Sequence, residues 1–273
     1  MKRNERLIDF TQYLLAHPNQ MLNLTEIAKR YEVAKSSISE DLVFLKRVFE
    51  RENIGNVESF PGSQGGIRYT PEISDEVSKD RAEAIRELLL EENRILPGGY
   101  IYLSDILGTP SNLTKIAQII AHEFRDKQID VIMTIATKGI PIAQAVAEIL
   151  DVPFVIVRRE AKVTEGATLN VNYMSGSSSR VENMTLSKRS LTIGQHVLIV
   201  DDFMKGAGTI NGMKSLVREF DCIVAGVAVF LEGTFKGERL TEDYRSVLKI
   251  DNIDIPSRTI EVSLGNIFDE ESD

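Results

Sequence analysis

The sequence predicts an α/β protein in which a small helix-turn-helix and β-hairpin domain precedes a larger domain, a mainly parallel sheet flanked by helices. Two observations predict this fold class. Residues 6–51 place apolar side chains at helical spacing in three segments, and a glycine-rich turn follows at residues 61–66. From about residue 96 onward, apolar runs typical of buried strands alternate with helical segments, as in parallel sheets. The length of 273 residues suits two domains, which we predict at 1–74 and 75–273.

The first three helical segments have helix-turn-helix spacing. RLIDFTQYLLA (6–16) is helical until His17-Pro18 ends it. A short helix follows, with Thr25 as its expected N-cap and Tyr31 near its end. A tight turn then leads into a longer helix, residues 35–51. A short helix, a turn and a longer helix are the parts of a DNA-reading helix-turn-helix.

The start of the longer helix carries small polar residues and one cation. Lys35, Ser36, Ser37 and Ser39 lie off its apolar face. In a helix-turn-helix this position meets base edges and phosphates, so hydroxyl and ammonium groups suit it. The alternative is that Ser36 and Ser37 simply cap the helix.

The hairpin that follows completes a winged helix. Residues 57–71 read as two short strands around a glycine-rich tip that includes Gly65 and Gly66. The wing of such a unit lies along the DNA backbone or minor groove, where Arg68 is the cation placed to bind. The alternative is a winged helix used only for protein contacts. Residues 72–95 read as an acidic amphipathic helix with no predicted chemistry.

The charge distribution is compatible with a double-stranded DNA partner. The chain carries a net charge of −9, but residues 1–74 hold ten basic and ten acidic residues, so the acid excess lies outside them. One cysteine excludes an intramolecular disulfide framework and fits a reducing compartment. No apolar run is long enough for a signal peptide or a membrane span. We therefore expect a cytoplasmic protein without a membrane partner.

The most informative stretch of the larger domain is VLIVDDFMKGAGTINGM, residues 197–213. A buried strand leads into Asp201 and Asp202, which can accept hydrogen bonds from a ribose diol or bind magnesium. The backbone N–H groups of residues 205–209, at the start of a helix, form an anion site. A diol site beside a phosphate site indicates a ribose 5-phosphate.

This stretch resembles the 5-phosphoribosyl 1-pyrophosphate (PRPP) signature of type I phosphoribosyltransferases. It departs from the commonest form in having Lys-Gly-Ala-Gly at 205–208 where Ala/Thr-Gly-Gly is usual. The loop at residues 135–141 then corresponds to the one that holds the pyrophosphate, and residues 163–190 to the mobile flap. The alternative for the cations around residues 158–162 is a basic loop that is simply solvated. Phe203 and Tyr102 are candidate stacking partners for a purine, and the alternative is that both are ordinary half-buried aromatic residues. The expected effector-binding residues are Ala136, Thr137, Lys138, Gly139, Arg158, Arg159, Lys162, Tyr102, Asp201, Asp202, Phe203, Lys205, Gly206, Ala207, Gly208 and Thr209.

The whole chain resembles the purine operon regulators of the Gram-positive PurR family. The segments that carry this resemblance are AKSSISEDL (34–42), LPGGYIYLSDILG (96–108), ATKGIP (136–141), KVTEG (162–166) and DDFMKGAGTINGM (201–213). It implies a homodimer that binds paired DNA elements at purine-gene promoters. It also implies PRPP as effector, with magnesium accompanying the ligand at most and no required cofactor, protein-held metal or catalytic residue. Guanosine tetra- and pentaphosphates are further implied ligands of the same pocket. The alternative is an active purine phosphoribosyltransferase with an accessory N-terminal domain.

Overall fold

The computed structural model describes residues 1–62, 65–91, 94–160, 163–174 and 180–269. The chain divides into two compact units. The first comprises Met1–Val77 and Ile149–Asp151, and the second comprises Ser78–Glu148 and Val152–Asp273.

The first unit is the predicted winged helix. Its elements are α1 (Arg3–Leu15), α2 (Leu24–Tyr31), α3 (Lys35–Arg51), β1 (Asn56–Phe60) and β2 (Gly66–Thr70). The two strands pair antiparallel, with Glu58 opposite Arg68. An antiparallel bridge between Leu22 and Ile67 ties the hairpin to the segment before α2.

The apolar faces of the three helices meet in one core. Phe10 and Leu14 of α1 and Ile38 and Phe49 of α3 are fully or almost fully buried. Burial of such side chains stabilises the fold by roughly 1.5–3 kcal/mol each, which fixes the orientation of α3 against its neighbours.

The N-cap of α2 differs from the one the sequence predicts. Asn23, and not Thr25, caps the helix: its side-chain oxygen accepts the backbone N–H of Thr25 at 2.8 Å. The helix therefore begins at Leu24. Both residues belong to the preferred capping types, and the bridge at Leu22, a tertiary contact, sets which of them the chain uses.

The second unit contains the predicted mainly parallel sheet flanked by helices. Its elements, preceded by α4 (Asp75–Leu89), are β3 (Ile95–Leu96), β4 (Tyr100–Ile101), α5 (Ser104–Gly108), α6 (Pro110–Glu123), β5 (Val131–Ile135), α7 (Gly139–Leu150), β6 (Phe154–Val157), a 3₁₀ turn (Val163–Glu165), β7 (Thr168–Met174), β8 (Val181–Ser187), β9 (His196–Met204), α8 (Gly208–Glu219), β10 (Ile223–Glu232), β11 (Arg245–Asp254), β12 (Thr259–Leu264) and a second 3₁₀ turn (Asn266–Phe268).

Six strands form the central sheet in the order β12-β11-β10-β9-β5-β6. All neighbours pair in parallel except β11 and β12, which form an antiparallel edge. The sequence did not predict β11 or β12. The carboxyl ends of the parallel strands meet at one edge of the sheet, where such folds bind ligands.

Two connections at that edge are short. The chain passes from β5 into α7 through residues 136–138, and from β9 into α8 through residues 205–207. Gly139 allows the first connection to pack closely, because a Cβ there would lie 2.2 Å from Oγ1 of Thr134 and 3.1 Å from Oδ1 of Asp201. The two loops are therefore neighbours at the sheet edge.

The predicted flap contains an antiparallel hairpin of β7 and β8, with Met174 opposite Val181. Residues 175–179, which the prediction includes, lie outside the described residues. The Tyr173 side chain is buried against the main body, where Gly212 of α8 leaves room for its ring.

Candidate functional site

The second unit holds a cavity of about 820 Å³ at the carboxyl edge of its sheet. Most of the predicted effector residues line it: Lys138, Arg159, Asp201, Asp202, Phe203, Lys205, Gly206, Ala207, Gly208 and Thr209. The structure thus brings together the ends of β5, β6 and β9, which are far apart in the sequence.

Asp201 and Asp202 lie near the carboxyl end of strand β9, which continues to Met204 instead of ending at the acids as the sequence suggested. Asp201 is 4% exposed and accepts the backbone N–H of Asp202 on Oδ1 at 2.9 Å. Burial raises the pKa of Asp201 well above its usual value, and the charge of Asp202 raises it further. Burial also raises the pKa of Asp202, although the hydrogen bond with Asp201 and the nearby Lys138 charge oppose that shift. Two crowded, poorly hydrated carboxylates would bind a pair of hydroxyl donors well.

The loop between β9 and α8 has the form of an anion site. Ala207 adopts a left-handed conformation, with φ 60°, immediately before the first residue of α8. This conformation curls the backbone so that successive N–H groups converge at the positive end of the helix. The loop therefore presents backbone dipoles of the kind that suit an anion, beside the aspartate pair.

Among the described residues, four cationic ones line the cavity: Lys138, Arg159, Arg180 and Lys205. Lys138 comes from the loop after β5, where the Ala136–Thr137 peptide bond is cis. The Lys205 ammonium lies 5.8 Å from the centre of the Phe203 ring. These charges suit a ligand with several phosphate groups.

The sequence analysis missed part of the lining. Arg180 and Glu182 reach the cavity from the flap, and Gly98, Gly99 and Tyr100 reach it from the β3–β4 turn. Glu182 accepts the Tyr173 hydroxyl at 2.7 Å and lies 3.6 Å from Arg159. Burial, assisted by this carboxylate, raises the pKa of Tyr173 to about 12. Extending the alternation of β8 back by one residue places Arg180 and Glu182 on one face, but only once the strand is assigned.

Some predicted effector residues do not themselves line the cavity. Among the described residues, those that line the cavity do not include Ala136, Thr137, Gly139, Arg158 or Tyr102. Arg158 lies 3.4 Å from Glu165 in an ion pair. Tyr102 is 42% exposed, and the cavity-lining aromatic of that segment is Tyr100, two residues earlier. Lys162 lies outside the described residues.

The first unit presents the candidate DNA-binding surface. Lys35, Ser36 and Ser39 are exposed at the start of α3, and Ser37 is half-buried. The N-cap of α3 is Ala34, so Ser36 and Ser37 occupy the first turn and do not cap it. The capping alternative for these serines is therefore wrong, and their position leaves the DNA-contact hypothesis standing.

The wing residues have structural roles of their own. A Cβ at Gly65 or Gly66 would lie 2.1 Å from the Phe60 carbonyl oxygen or 2.2 Å from that of Leu22, and Gly66 is buried. Arg68 pairs with Glu58 at 3.1 Å and stacks on the ring of Phe60. Arg68 contacts DNA only if it leaves or shares these partners.

Comparison with known proteins identifies the family. Residues 2–71 match the family described as "Bacterial purine repressor, N-terminal", and residues 103–265 match "Phosphoribosyl transferase domain". The chain is 78% identical over 270 residues to the purine biosynthesis transcriptional activator PurR of Lactococcus lactis subsp. lactis, covering 99% of this chain and 100% of that one. The chain belongs to the PurR family of purine biosynthesis transcriptional regulators.

A second PurR-family relative is named as a repressor of transcription instead of an activator. The purine biosynthesis transcriptional repressor PurR of Bacillus subtilis is 48% identical over 267 residues, covering 98% of this chain and 94% of that one. Relatives named as activator and as repressor thus share one architecture. The predicted family, fold class and regulatory function are confirmed at this level, and both relatives are named as transcriptional regulators.

The fold of the second unit is shared with enzymes. Adenine phosphoribosyltransferase from Rhodothermus marinus superposes with a TM-score of 0.51 at 23% identity, covering 56% of this chain and 87% of that one. In the described part of the chain, no helix is long and apolar enough to cross a membrane. The same part contains no cluster of three or more His, Cys, Asp or Glu side chains suited to a metal ion.

Proposed function

We propose that this PurR-family chain binds double-stranded DNA at purine-gene promoters through α3 and the wing, and senses PRPP in the cavity. One observation carries the effector proposal: the buried Asp201, the half-buried Asp202 and the backbone loop at 205–209 line one cavity, together with four cationic residues of the described part of the chain. The carboxylates match the ribose diol, the loop matches the 5-phosphate, and Lys138 and Arg159 match the pyrophosphate.

Magnesium fits this site as part of the ligand. The aspartate pair supplies hard oxygen atoms, but the described residues offer no complete set of metal ligands. The ion would complete its coordination with phosphate and ribose oxygens. The protein groups then orient the ribose and neutralise the phosphates, and no cofactor is required.

Guanosine tetra- and pentaphosphate are proposed as further ligands of the same cavity. They carry several phosphates, which the four cations favour, and a purine ring that Phe203 or Tyr100 can stack against. Since they and PRPP need the same anion sites, each should exclude the other.

On this proposal the regulator acts as a homodimer in the cytoplasm. Each of its two winged helices binds one of a pair of DNA elements. Ligand shifts DNA affinity only by binding one arrangement of the protein better than another. The flap is the proposed lever because Arg180 and Glu182 connect it to the cavity. The added negative charge of the ligand is a second, purely electrostatic lever.

Isothermal titration calorimetry with PRPP and magnesium tests the effector site. Wild-type protein is expected to bind, and the variant Asp201→Asn plus Asp202→Asn to lose most of the affinity while keeping its fold. A charge-matched control, Asp251→Asn plus Glu261→Gln on the exposed faces of β11 and β12, should bind as wild type. Unchanged PRPP affinity in the Asp201–Asp202 variant would place the effector elsewhere.

An active purine phosphoribosyltransferase is the alternative, favoured by the intact phosphate loop and aspartate pair. We propose that the chain is catalytically inactive, with no residue assigned to catalysis. Incubation with PRPP, magnesium and adenine, guanine, hypoxanthine or xanthine should give no nucleotide and no pyrophosphate. Turnover that disappears in the Asp201–Asp202 variant would support the enzyme.

A further inference from the structure

The carbonyl oxygens of the phosphate loop all point to partners outside the cavity. Those of Met204, Lys205 and Gly206 accept hydrogen bonds from Gly233 N at 2.7 Å, Arg239 Nε at 3.0 Å and Leu240 N at 3.2 Å. The carbonyl of Ala207 accepts Asn211 N within α8 at 2.9 Å. With four successive carbonyls held this way, the loop's N–H groups remain to face an anion.

The three outside donors belong to one segment, residues 233–240, which follows β10. Within this segment, the Arg239 side chain contacts several partners. Besides Lys205, its guanidinium donates to the Gly233 carbonyl at 3.1 Å and to the Tyr244 hydroxyl at 2.9 Å, and it pairs with Glu232 at 2.7 Å. Arg239 therefore has partners along all three of its nitrogens, which fixes the plane of the guanidinium.

The acid that anchors Arg239 is itself fixed. Glu232 is 3% exposed at the end of β10 and accepts the Ser246 hydroxyl of β11 at 3.0 Å. A buried carboxylate held by a hydroxyl and a guanidinium is rigid and well satisfied. The phosphate loop is thus connected through Arg239 to two strands of the central sheet.

The helix after the phosphate loop is tied to the same region. The Lys214 ammonium of α8 is buried and donates to Oγ1 of Thr241 at 2.8 Å and to the Asp243 carbonyl at 3.0 Å. Residues 233–243 therefore support both the loop and the helix that together form the anion site.

We propose that Arg239, anchored by Glu232, is a positioning residue for phosphate binding: it holds the Lys205 carbonyl, and through the adjacent Leu240 amide the Gly206 carbonyl, away from the cavity without touching the ligand. The inference rests on the proposed binding of PRPP in this cavity. Without Arg239, the Lys205 carbonyl loses its donor and the loop gains conformations in which an oxygen faces the phosphate. Such conformations repel the ligand, so affinity falls although every ligand-contacting residue is intact.

Calorimetry on four proteins tests this proposal with PRPP and with inorganic pyrophosphate as ligands. Arg239→Gln should bind PRPP about tenfold more weakly than wild type, from loss of a charge-assisted hydrogen bond. Arg239→Lys should bind PRPP nearly as weakly, because lysine keeps the charge but not the planar set of guanidinium N–H donors. Lys236→Gln, an exposed change of equal charge in the same segment, should bind as wild type. Pyrophosphate, assigned to Lys138 and Arg159, should bind all four alike.

Wild-type PRPP affinity in Arg239→Gln, full rescue by Arg239→Lys, or an equal loss for pyrophosphate would overturn the assignment. Amide hydrogen exchange in the ligand-free protein provides a second test that does not depend on ligand binding. Exchange at the Gly233 and Leu240 amides should be faster in Arg239→Gln and unchanged in Lys236→Gln. If wild-type protein binds neither ligand, the proposed function fails. Hydrogen exchange then decides by itself whether Arg239 holds the loop. Unchanged amide exchange in Arg239→Gln would contradict that role for Arg239.

Discussion

Arg6 of α1 donates from Nε to Oδ2 of Asp41 in α3 at 2.6 Å, and the Asp41 side chain is fully buried. Arg3, one turn earlier, donates to the other carboxylate oxygen at 3.1 Å. Two guanidinium groups of the first helix therefore hold the helix that presents Lys35 and the serines. The ion pair therefore adds to the apolar packing that positions α3, the helix proposed to bind DNA.

Replacing Asp41 with Ala is expected to destabilise the protein by about 2–4 kcal/mol, because it leaves the mostly buried Arg6 guanidinium without its anion. Urea denaturation measures the loss. Glu40→Ala, an exposed change on the same helix turn, serves as the control and should cost less than about 0.5 kcal/mol. Equal stability of the two variants would show that the ion pair contributes nothing.

Replacing Lys35 with Ala is expected to weaken DNA binding and to lower the slope of log affinity against log salt by about 1, as loss of one phosphate contact does. Fluorescence anisotropy at several salt concentrations measures both. Lys249→Ala, an exposed lysine on β11, changes the charge equally and should leave the slope as it is. A slope unaffected by Lys35→Ala would remove this lysine from the phosphate contacts.

Asp201 should make the ligand-free protein less stable as pH rises. Its pKa is raised in the folded state, so the native protein binds more protons than the unfolded chain, and stability falls as pH increases from about 4 through the folded pKa. Asp201→Asn removes this cost. The variant should therefore be more stable than wild type near pH 7, with a difference that shrinks toward pH 4.

Urea midpoints between pH 4 and 8 check this expectation, with Asp251→Asn on the exposed face of β11 as the control. The same Asp201→Asn protein should bind PRPP poorly. A residue that lowers the stability of the ligand-free protein yet is required for ligand binding is typical of a binding site. A stability difference that grows toward low pH would contradict the assigned direction.

The sequence predicted the parts of the molecule that local patterns determine. The bounds of α3 follow from its apolar spacing, and the strand–acid–glycine order of 197–209 predicted the strand β9 and the short loop into α8. Each of these rests on residues that are neighbours in the chain, so their geometry follows from helix and strand periodicity.

The parts it missed depend on tertiary contacts. Tyr100, in the two-residue strand β4, lines the cavity, whereas Tyr102, just after that strand, does not, and residue spacing alone does not distinguish the two. Glu182 reaches the site only through the pairing of β7 with β8, and Arg239 meets the Lys205 carbonyl from 34 residues away. No local pattern contains these relationships. The domain boundary at residue 74 and the homodimer stay predictions.

The most direct measurement is the affinity of the protein for a purine-promoter DNA fragment with and without PRPP, in wild type and in Asp201→Asn plus Asp202→Asn. The account predicts that PRPP changes the affinity of wild type, that the variant binds DNA as ligand-free wild type does, and that PRPP no longer affects it. A variant that binds DNA and still responds to PRPP would contradict the claim that this cavity is the sensor.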